Sequence, residues 1–306
     1  MKGLLDRLYE KTPVYRVKPG EKVLIFSDLH MGDGGGSDDF KRNSGLYLRI
    51  LENFYHLGYH LVLLGDIEEL WEDDLVEVLL TYPEIFHWHR KFFQEGRLHR
   101  VVGNHDIFTE ERRFLKRTAD KLKKIGKEEL IPLLPPLSLP SLKLEFPEGE
   151  IFLFHGHQLD FLSNSLWKLS RFFVRYLWKP LQILLKVTTS SPARVWKKRL
   201  ALEKKYYQWA EKRKKVIVCG HTHRAMFASR SGKEEGHGGR AVPMPLPIYF
   251  NSGCGIYTDG RITAVEILPG TIKLLAFYLE GNSLRVEVLG REKLRNIFSS
   301  LRPEKG

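Results

Sequence analysis

The 306-residue chain is 42% apolar and 12% aromatic, enough for a buried core, which excludes a globally disordered polypeptide. The opening ten residues carry a charge every few positions, and no run reaches about 18 uncharged apolar residues. That argues against a secretory signal or a spanning helix and predicts a cytoplasmic protein. The net charge of +12 is uneven: from Asn164 to Lys215 fifteen Lys/Arg stand against two acids, Glu203 and Glu211, a local excess of +13 that leaves −1 for the rest.

In chain order, Val23 to Ser27, His60 to Leu64 and Leu98 to Val102 are short apolar runs that read as buried strands. Tyr47, Ile50, Leu51, Phe54 and Leu57 recur at helical spacing between the first two and stop at Gly58, a C-terminal cap. A helix is expected from Thr109 through Lys124, with Glu110 and Glu111 in its first turn. The proline-punctuated stretch from Ile131 to Pro147 is expected to cross the surface before its tail enters a strand. Ile151 to Phe154 and Val216 to Cys219 are two further strand runs, and this alternation predicts an α/β core with a largely parallel sheet. Arg261 to Leu268, Thr271 to Leu279 and Ser283 to Leu289, parted by Pro-Gly and Gly-Asn turns, predict a second, antiparallel-rich sheet packed on the first. Cys219 and Cys254 lie in apolar or glycine-rich surroundings and do not suggest a disulfide. With no linker and no internal repeat, residues 1–306 are expected to form one domain, with 161–215 inserted as a basic helical lid.

Polar residues capable of holding metal stand at or just beyond the ends of five of these runs. Asp28 and His30 follow the first, Asp66 the second and Asn104 the third, while His155 follows Phe154 and His221 with His223 follows Cys219-Gly220. In open α/β sheets ligands bind beyond the carboxyl ends of the strands, so five loops are expected to converge. Four imidazoles, two carboxylates and an amide oxygen are too many donors for one four-coordinate ion and suit two ions that share a carboxylate. The mixture favours two divalent metal ions of the manganese type, with iron or zinc as alternatives.

Asp28-Leu29-His30, Gly65-Asp66, Gly103-Asn104-His105-Asp106, His155-Gly156 and Gly220-His221-Thr222-His223 resemble the five blocks of the calcineurin-like metallophosphoesterase family. The resemblance covers residues 22 to about 256. It implies a four-layer α/β/β/α sandwich and a metal-dependent hydrolase of phosphoric esters or anhydrides. It also implies one metal on Asp28, His30, Asp66 and His223, and a second on Asp66, Asn104, His155 and His221. His105 would protonate the leaving group or steady the phosphoryl oxygens, with Asp106 as its orienter. His157, two residues beyond His155, is read as a substrate contact or a partner of a ligand. Glu68 and Glu69 are read as acceptors that orient a ligand imidazole, or else as a solvated helix start.

On a helical wheel of Phe161 to Lys186, Lys168, Arg171, Arg175 and Lys179 share a narrow face opposite seven apolar residues from Leu162 to Leu184. Trp167 and Trp178 flank the two faces, Pro180 should split the segment, and a second basic helix is expected from about Pro192 to Lys214. Three readings stay open. The lid could lie on the inner face of a membrane, cap the core with its charges merely solvated, or bind nucleic acid. Arg171 and Arg175 are its candidate substrate contacts. Its place between His155 and His221 resembles the UDP-2,3-diacylglucosamine hydrolase branch of the family, as does Gly65-Asp66-Ile67-Glu68-Glu69-Leu70-Trp71. That branch usually carries Arg at the position of His105 and Asp at that of His157. The expected substrate is therefore a phosphorylated lipid or nucleotide-linked lipid. The alternatives are a nucleic-acid or cyclic-nucleotide phosphodiesterase and a membrane-binding protein without catalysis. No protein partner is indicated.

Overall fold

Strands β2 (Lys22–Phe26) and β3 (Tyr59–Leu64) bury nearly every side chain, as strands covered on both faces must. Their side chains divide by parity: Leu24, Phe26, Leu61 and Leu63 enter one core, Val23, Ile25, Val62 and Leu64 another. The computed structural model describes residues 3–159, 192–227 and 244–302. Among these, β2, β3 and β4 (Leu98–Val101) run parallel, linked by helix α2 (Ser44–His56) and by α3 (Leu75–Thr81) with α4 (Pro83–Gln94). Helix α2 closes as expected, with Gly58 at φ +75 just beyond it.

The C-terminal strands do not build the second sheet. β10 (Ile262–Leu268) pairs antiparallel with β2, then β11 (Thr271–Glu280) and β12 (Ser283–Lys293) extend the same sheet outward, giving the order β12-β11-β10-β2-β3-β4. The second sheet holds β1 (Val14–Arg16), β5 (Leu142–Phe146), β6 (Gly149–Leu153), β7 (Val216–Cys219), β9 (Tyr249–Ser252) and β8 (Ala225–Phe227), in the order β1-β5-β6-β7-β9-β8. The runs at Ile151 and Val216, expected in the first parallel sheet, therefore belong to the other one. Hydrophobic pattern says that a strand is buried on both faces. It does not say which sheet the strand joins.

Three apolar cores separate four layers. Leu24, Phe26, Leu61 and Leu63 meet Tyr47, Ile50, Leu79 and Phe86 from the helices on one outer side. Val23, Ile25, Val62 and Leu64 face Leu144, Ile151, Leu153, Val216 and Val218 between the sheets. Phe152, Phe154 and Ile217 face Leu202, Tyr206, Tyr207 and Ala210 of α6 (Pro192–Arg213) and Leu5 of α1 (Leu4–Lys11) on the other outer side. This is the α/β/β/α sandwich expected from the motifs.

Helix α6 stands where the second basic helix was expected, and it forms part of an outer layer. Its Trp209 indole donates to Asp6 of α1 at 3.0 Å, and Arg213 does so at 2.7 Å. The helix expected from Thr109 starts at Arg112 (α5, Arg112–Lys124), because the Thr109 hydroxyl is held by the Asp106 carbonyl and Ser138 in a 3-10 turn, Ile107–Glu110. The helical-wheel face with Arg171 and Arg175, the flanking Trp167 and Trp178, and the break at Pro180 lie outside the described residues. Among the described residues no helix is long and apolar enough to cross a membrane. Cys219 and Cys254 are buried free thiols.

Candidate metal centre

Past the carboxyl ends of β2, β3 and β7 the backbone turns into a region that side chains rarely enter. Among the described residues six non-glycine positions have positive φ. Five of them are Asp28 (+53), His30 (+49), Asp66 (+53), His221 (+67) and His223 (+56). Such conformations cost roughly 1–3 kcal/mol each and persist only where surroundings over-determine them. Here backbone bonds do so: Asp28 N–H donates to Gly65 O and His30 N–H to Asp66 O, each at 3.0 Å, while Gly220 N–H donates to His155 O at 2.8 Å. Two glycines are required by space. A Cβ on Gly65, itself at φ +86, would lie 2.6 Å from the His155 ring, and one on Gly220 would lie 2.5 Å from the Asp28 carboxylate.

Six of the seven residues expected as ligands fall into two groups beyond the strand ends. Asp28, His30 and His223 form one group whose ligand atoms lie within 4.8 Å of one another, and Asp66, His155 and His221 form another. The Nε2 atoms of His30 and His223 stand 3.2 Å apart, near the spacing of about 3 Å that two nitrogens on one ion would show at bond lengths of about 2 Å. His223 Nε2 is 3.2 Å from Asp28 Oδ1, and His155 Nε2 is 3.0 Å from Asp66 Oδ2. His155 gives its Nδ1–H to the Leu64 carbonyl at 2.9 Å, which fixes the tautomer and leaves Nε2 as the ligating atom. Asn104 Oδ1 is fully buried without a hydrogen-bond partner. Buried polar atoms in that condition call for a partner the protein does not supply. The donors present thus fit metal ions.

The electrostatics agree. Burial works to raise the Asp28 carboxyl, yet the His155 and His223 imidazoles outweigh it and hold it down at about 2. Burial also works against protonation of His30, but Glu69, Asp66 and Asp28 drive it up to about 10. His155 rises in the same way to about 9 under Asp66 and Asp28. The carboxylates thus favour positive charge at His30 and His155, as they would favour a bound cation, while burial foremost lowers His223.

Around this centre the structure assigns places to the remaining candidates. His105 donates its backbone N–H to Asp66 Oδ1 at 2.8 Å and brings Nδ1 within 2.6 Å of Glu69 Oε1. Its ring stacks on Trp71 at 4.2 Å and 16°, while the Trp71 indole donates to the Asn104 carbonyl. Glu69 also meets His30 Nδ1 at 2.7 Å, so it is the acceptor that orients imidazoles. Glu68 instead forms a buried two-bond pair with Arg100. Asp106 does not orient His105. Its carboxylate accepts the backbone N–H of Ile67 at 2.9 Å and of Gly103 at 2.6 Å, bracing the two loops that carry Asp66 and Asn104. Burial foremost, then Glu68 and Asp66, push Asp106 up to about 7. His157 is buried, its ring 5.6 Å from that of His155.

Three residues that sequence reasoning did not single out also belong here. Trp71 supplies the platform for His105. Glu203 of α6 accepts from Thr222 at 2.9 Å and Arg224 at 2.6 Å, and the Tyr206 hydroxyl donates to the Gly156 carbonyl. Helix α6 thereby grips the loops bearing His155, His221 and His223. Glu203 had one visible signal, as one of only two acids in a run with fifteen basic residues.

A family model described as calcineurin-like phosphoesterase matches residues 21–225. No curated protein matches the chain. Among solved structures, vacuolar protein sorting 29 from Cryptosporidium parvum is similar at 13% identity and TM-score 0.41, over 90% of this chain and 98% of that one. A conserved uncharacterised protein from Streptococcus pneumoniae TIGR4, titled a predicted phosphoesterase, is similar at 13% identity and TM-score 0.35, over 89% and 99%. Vps29 from Entamoeba histolytica, titled as complexed with zinc, is similar at 14% identity and TM-score 0.36, over 89% and 99%. At such scores these likenesses carry no argument. The family match takes in every loop that bears a candidate ligand, from Asp28 to His223, and on it this chain belongs to the calcineurin-like phosphoesterase family, whose members are metal-dependent phosphoester hydrolases.

Proposed function

We propose that this hydrolase works with two divalent cations, manganese by preference, on a phosphoester or pyrophosphate bond of a lipid-linked or nucleotide-linked substrate. In this reading Asp28, His30, Asp66 and His223 hold one cation. Asp66, Asn104, His155 and His221 hold the other. The observation that carries it is that Asp28/His30/His223 and Asp66/His155/His221 form two three-residue groups, with Asn104 Oδ1 buried and without a hydrogen-bond partner. The imidazole-rich donor set favours manganese, iron or zinc over calcium. The cations would supply neutralisation of phosphoryl charge and a water acidic enough to attack at neutral pH.

The chain's own residues do the rest. Burial lowers the proton affinity of His105 but Glu69, to which Nδ1 is committed, outweighs it, and Nε2 is left to give a proton to the leaving oxygen. Trp71 and Glu69 fix that ring from its face and its edge. The substrate class is supported by the local +13 of residues 164–215 and by the grip of α6, which ends that segment, on the ligand loops. An acidic amphiphile at a membrane surface matches such a segment better than a neutral metabolite does.

The purified chain with manganese should hydrolyse an aryl phosphodiester or phosphomonoester, and His221→Ala should abolish the activity. Metal-independent turnover would overturn the reading. A panel of phosphorylated lipids, nucleotide-linked lipids, cyclic nucleotides and single-stranded DNA then tests the substrate class, and preference for the DNA would replace the lipid.

A further inference from the structure

The outer edge of the first sheet carries a strand that is unusually exposed. β12 is the last strand of that sheet among the described residues, and Arg285, Val286, Glu287 and Val288 are all exposed. Of the large apolar side chains most open to solvent, four lie on the β11–β12 hairpin: Tyr278, Leu279, Val286 (46%) and Val288 (50%). Edges of this kind are normally blunted by lysine, proline or a short strand. From Ser283 to Val288 β12 has neither lysine nor proline, and the register shift of the hairpin falls beyond this stretch, between Leu274 and Leu275.

Backbone orientation determines how such an edge can pair. The hairpin closes at Glu280 and Ser283 through a two-residue turn, Gly281-Asn282, and Leu284, Arg285, Val286, Glu287 and Val288 lie opposite Leu279, Tyr278, Phe277, Ala276 and Leu275. Hydrogen-bonded pairs alternate from the turn, beginning with Glu280 and Ser283. The N–H and C=O groups of Leu284, Val286 and Val288 therefore face away from β11. Antiparallel self-pairing must match these groups, so a twofold axis can pass only through a residue. Through Arg285 or Glu287 it sets like charges opposite each other. Through Val286 it sets Arg285 against Glu287 of the second copy twice, and Leu284 against Val288 twice. An axis through Leu284 sets Val286 against Asn282, and one through Val288 sets it against Gly290, so charge and apolar pattern together favour the register about Val286.

We propose that two copies of this chain associate by antiparallel pairing of β12 about a twofold axis through Val286, joining their first sheets into one. The contact is isologous, as closed dimers are. It covers the apolar row Leu284, Val286 and Val288 in both copies. The pairing uses none of the candidate metal ligands.

Sedimentation velocity of the full chain over a micromolar series should show a reversible monomer–dimer equilibrium, and a chain monomeric at 100 µM (about the upper end of such a series) would overturn the proposal. Val286→Pro removes an outward N–H that β11 does not use, so the fold should tolerate it while the dimer is lost. Retention of the dimer by this variant would place the interface elsewhere. Glu287→Arg should weaken the dimer about tenfold, by turning two attractive cross-strand pairs into repulsive ones. Arg285→Glu with Glu287→Arg should restore it, since the exchanged charges again face opposite partners. Failure of this pair to restore association, with thermal melts showing both variants folded, would overturn the register.

Discussion

Glu69 brings one carboxylate to the Nδ1 atoms of both His30 and His105, at 2.7 and 2.6 Å, and so orients a candidate ligand together with the candidate proton donor. An amide in its place can accept only through one oxygen and must aim its NH2 at the other ring. Glu69→Gln should lower manganese affinity roughly 10- to 100-fold, the usual cost of losing such a supporting bond. Titration calorimetry checks this, and unchanged affinity would deny Glu69 the role. His89 offers a pH test away from the metals. Burial first, then Arg100, pushes it down to about 3, while Tyr47 sits 3.0 Å from its Nε2. Because the folded value lies below the unfolded value of about 6.5, the unfolded chain takes the proton first as pH falls. The stability of the neutral buried form is complete above that value and is lost between 6.5 and 3. His89→Gln should therefore gain on the parent by about 1.4 kcal/mol per pH unit below 6.5, measured as urea midpoints at pH 7 and pH 5.

Among the elements, α6 connects the basic segment to the chemistry. It packs Leu202, Tyr206, Tyr207 and Ala210 on the second sheet, and its Glu203 reaches Thr222 and Arg224 beside the candidate ligands His221 and His223. Glu203→Ala deprives the buried Arg224 of this carboxylate and should cost about 3–5 kcal/mol in chemical denaturation. A loss below 1 kcal/mol would show that the pair does not hold the loop. Helices α3 and α4 were not anticipated, although the markers were present. Asp74 and Glu77 form a capping box and Pro83 opens α4. In Leu75–Thr81 five of the seven residues are apolar, so no helical stripe stands out against a strand-like run. The start of α5 was misplaced for a different reason, since Thr109 is drawn into the site by Asp106 and Ser138.

At the scale of the molecule, the candidate ligands come from both sheets, so an ion held by them ties the sandwich together across its edge. Ions that bind only the folded state add about 2.7 kcal/mol at a hundred times their dissociation constant. The melting temperature should rise with manganese and fall again on chelation, together with activity. A melt indifferent to manganese would contradict a centre built from both sheets.

The sequence alone determined the two-sided burial of the strands and singled out the candidate ligand residues, because apolar runs ending in Asp, Asn and His are local patterns. It did not determine that β10, β11 and β12 extend the first sheet, nor that β6 and β7 lie in the second. Pairing partners depend on which edges are free once the chain has folded. Nor did it give Asp106 its place under the Ile67 and Gly103 amides, or Glu203 its grip on Thr222. The Asp106 contact with Ile67 needs β3 and β4 side by side, and the Glu203 contact needs α6 packed on the second sheet, so the tertiary structure decided them.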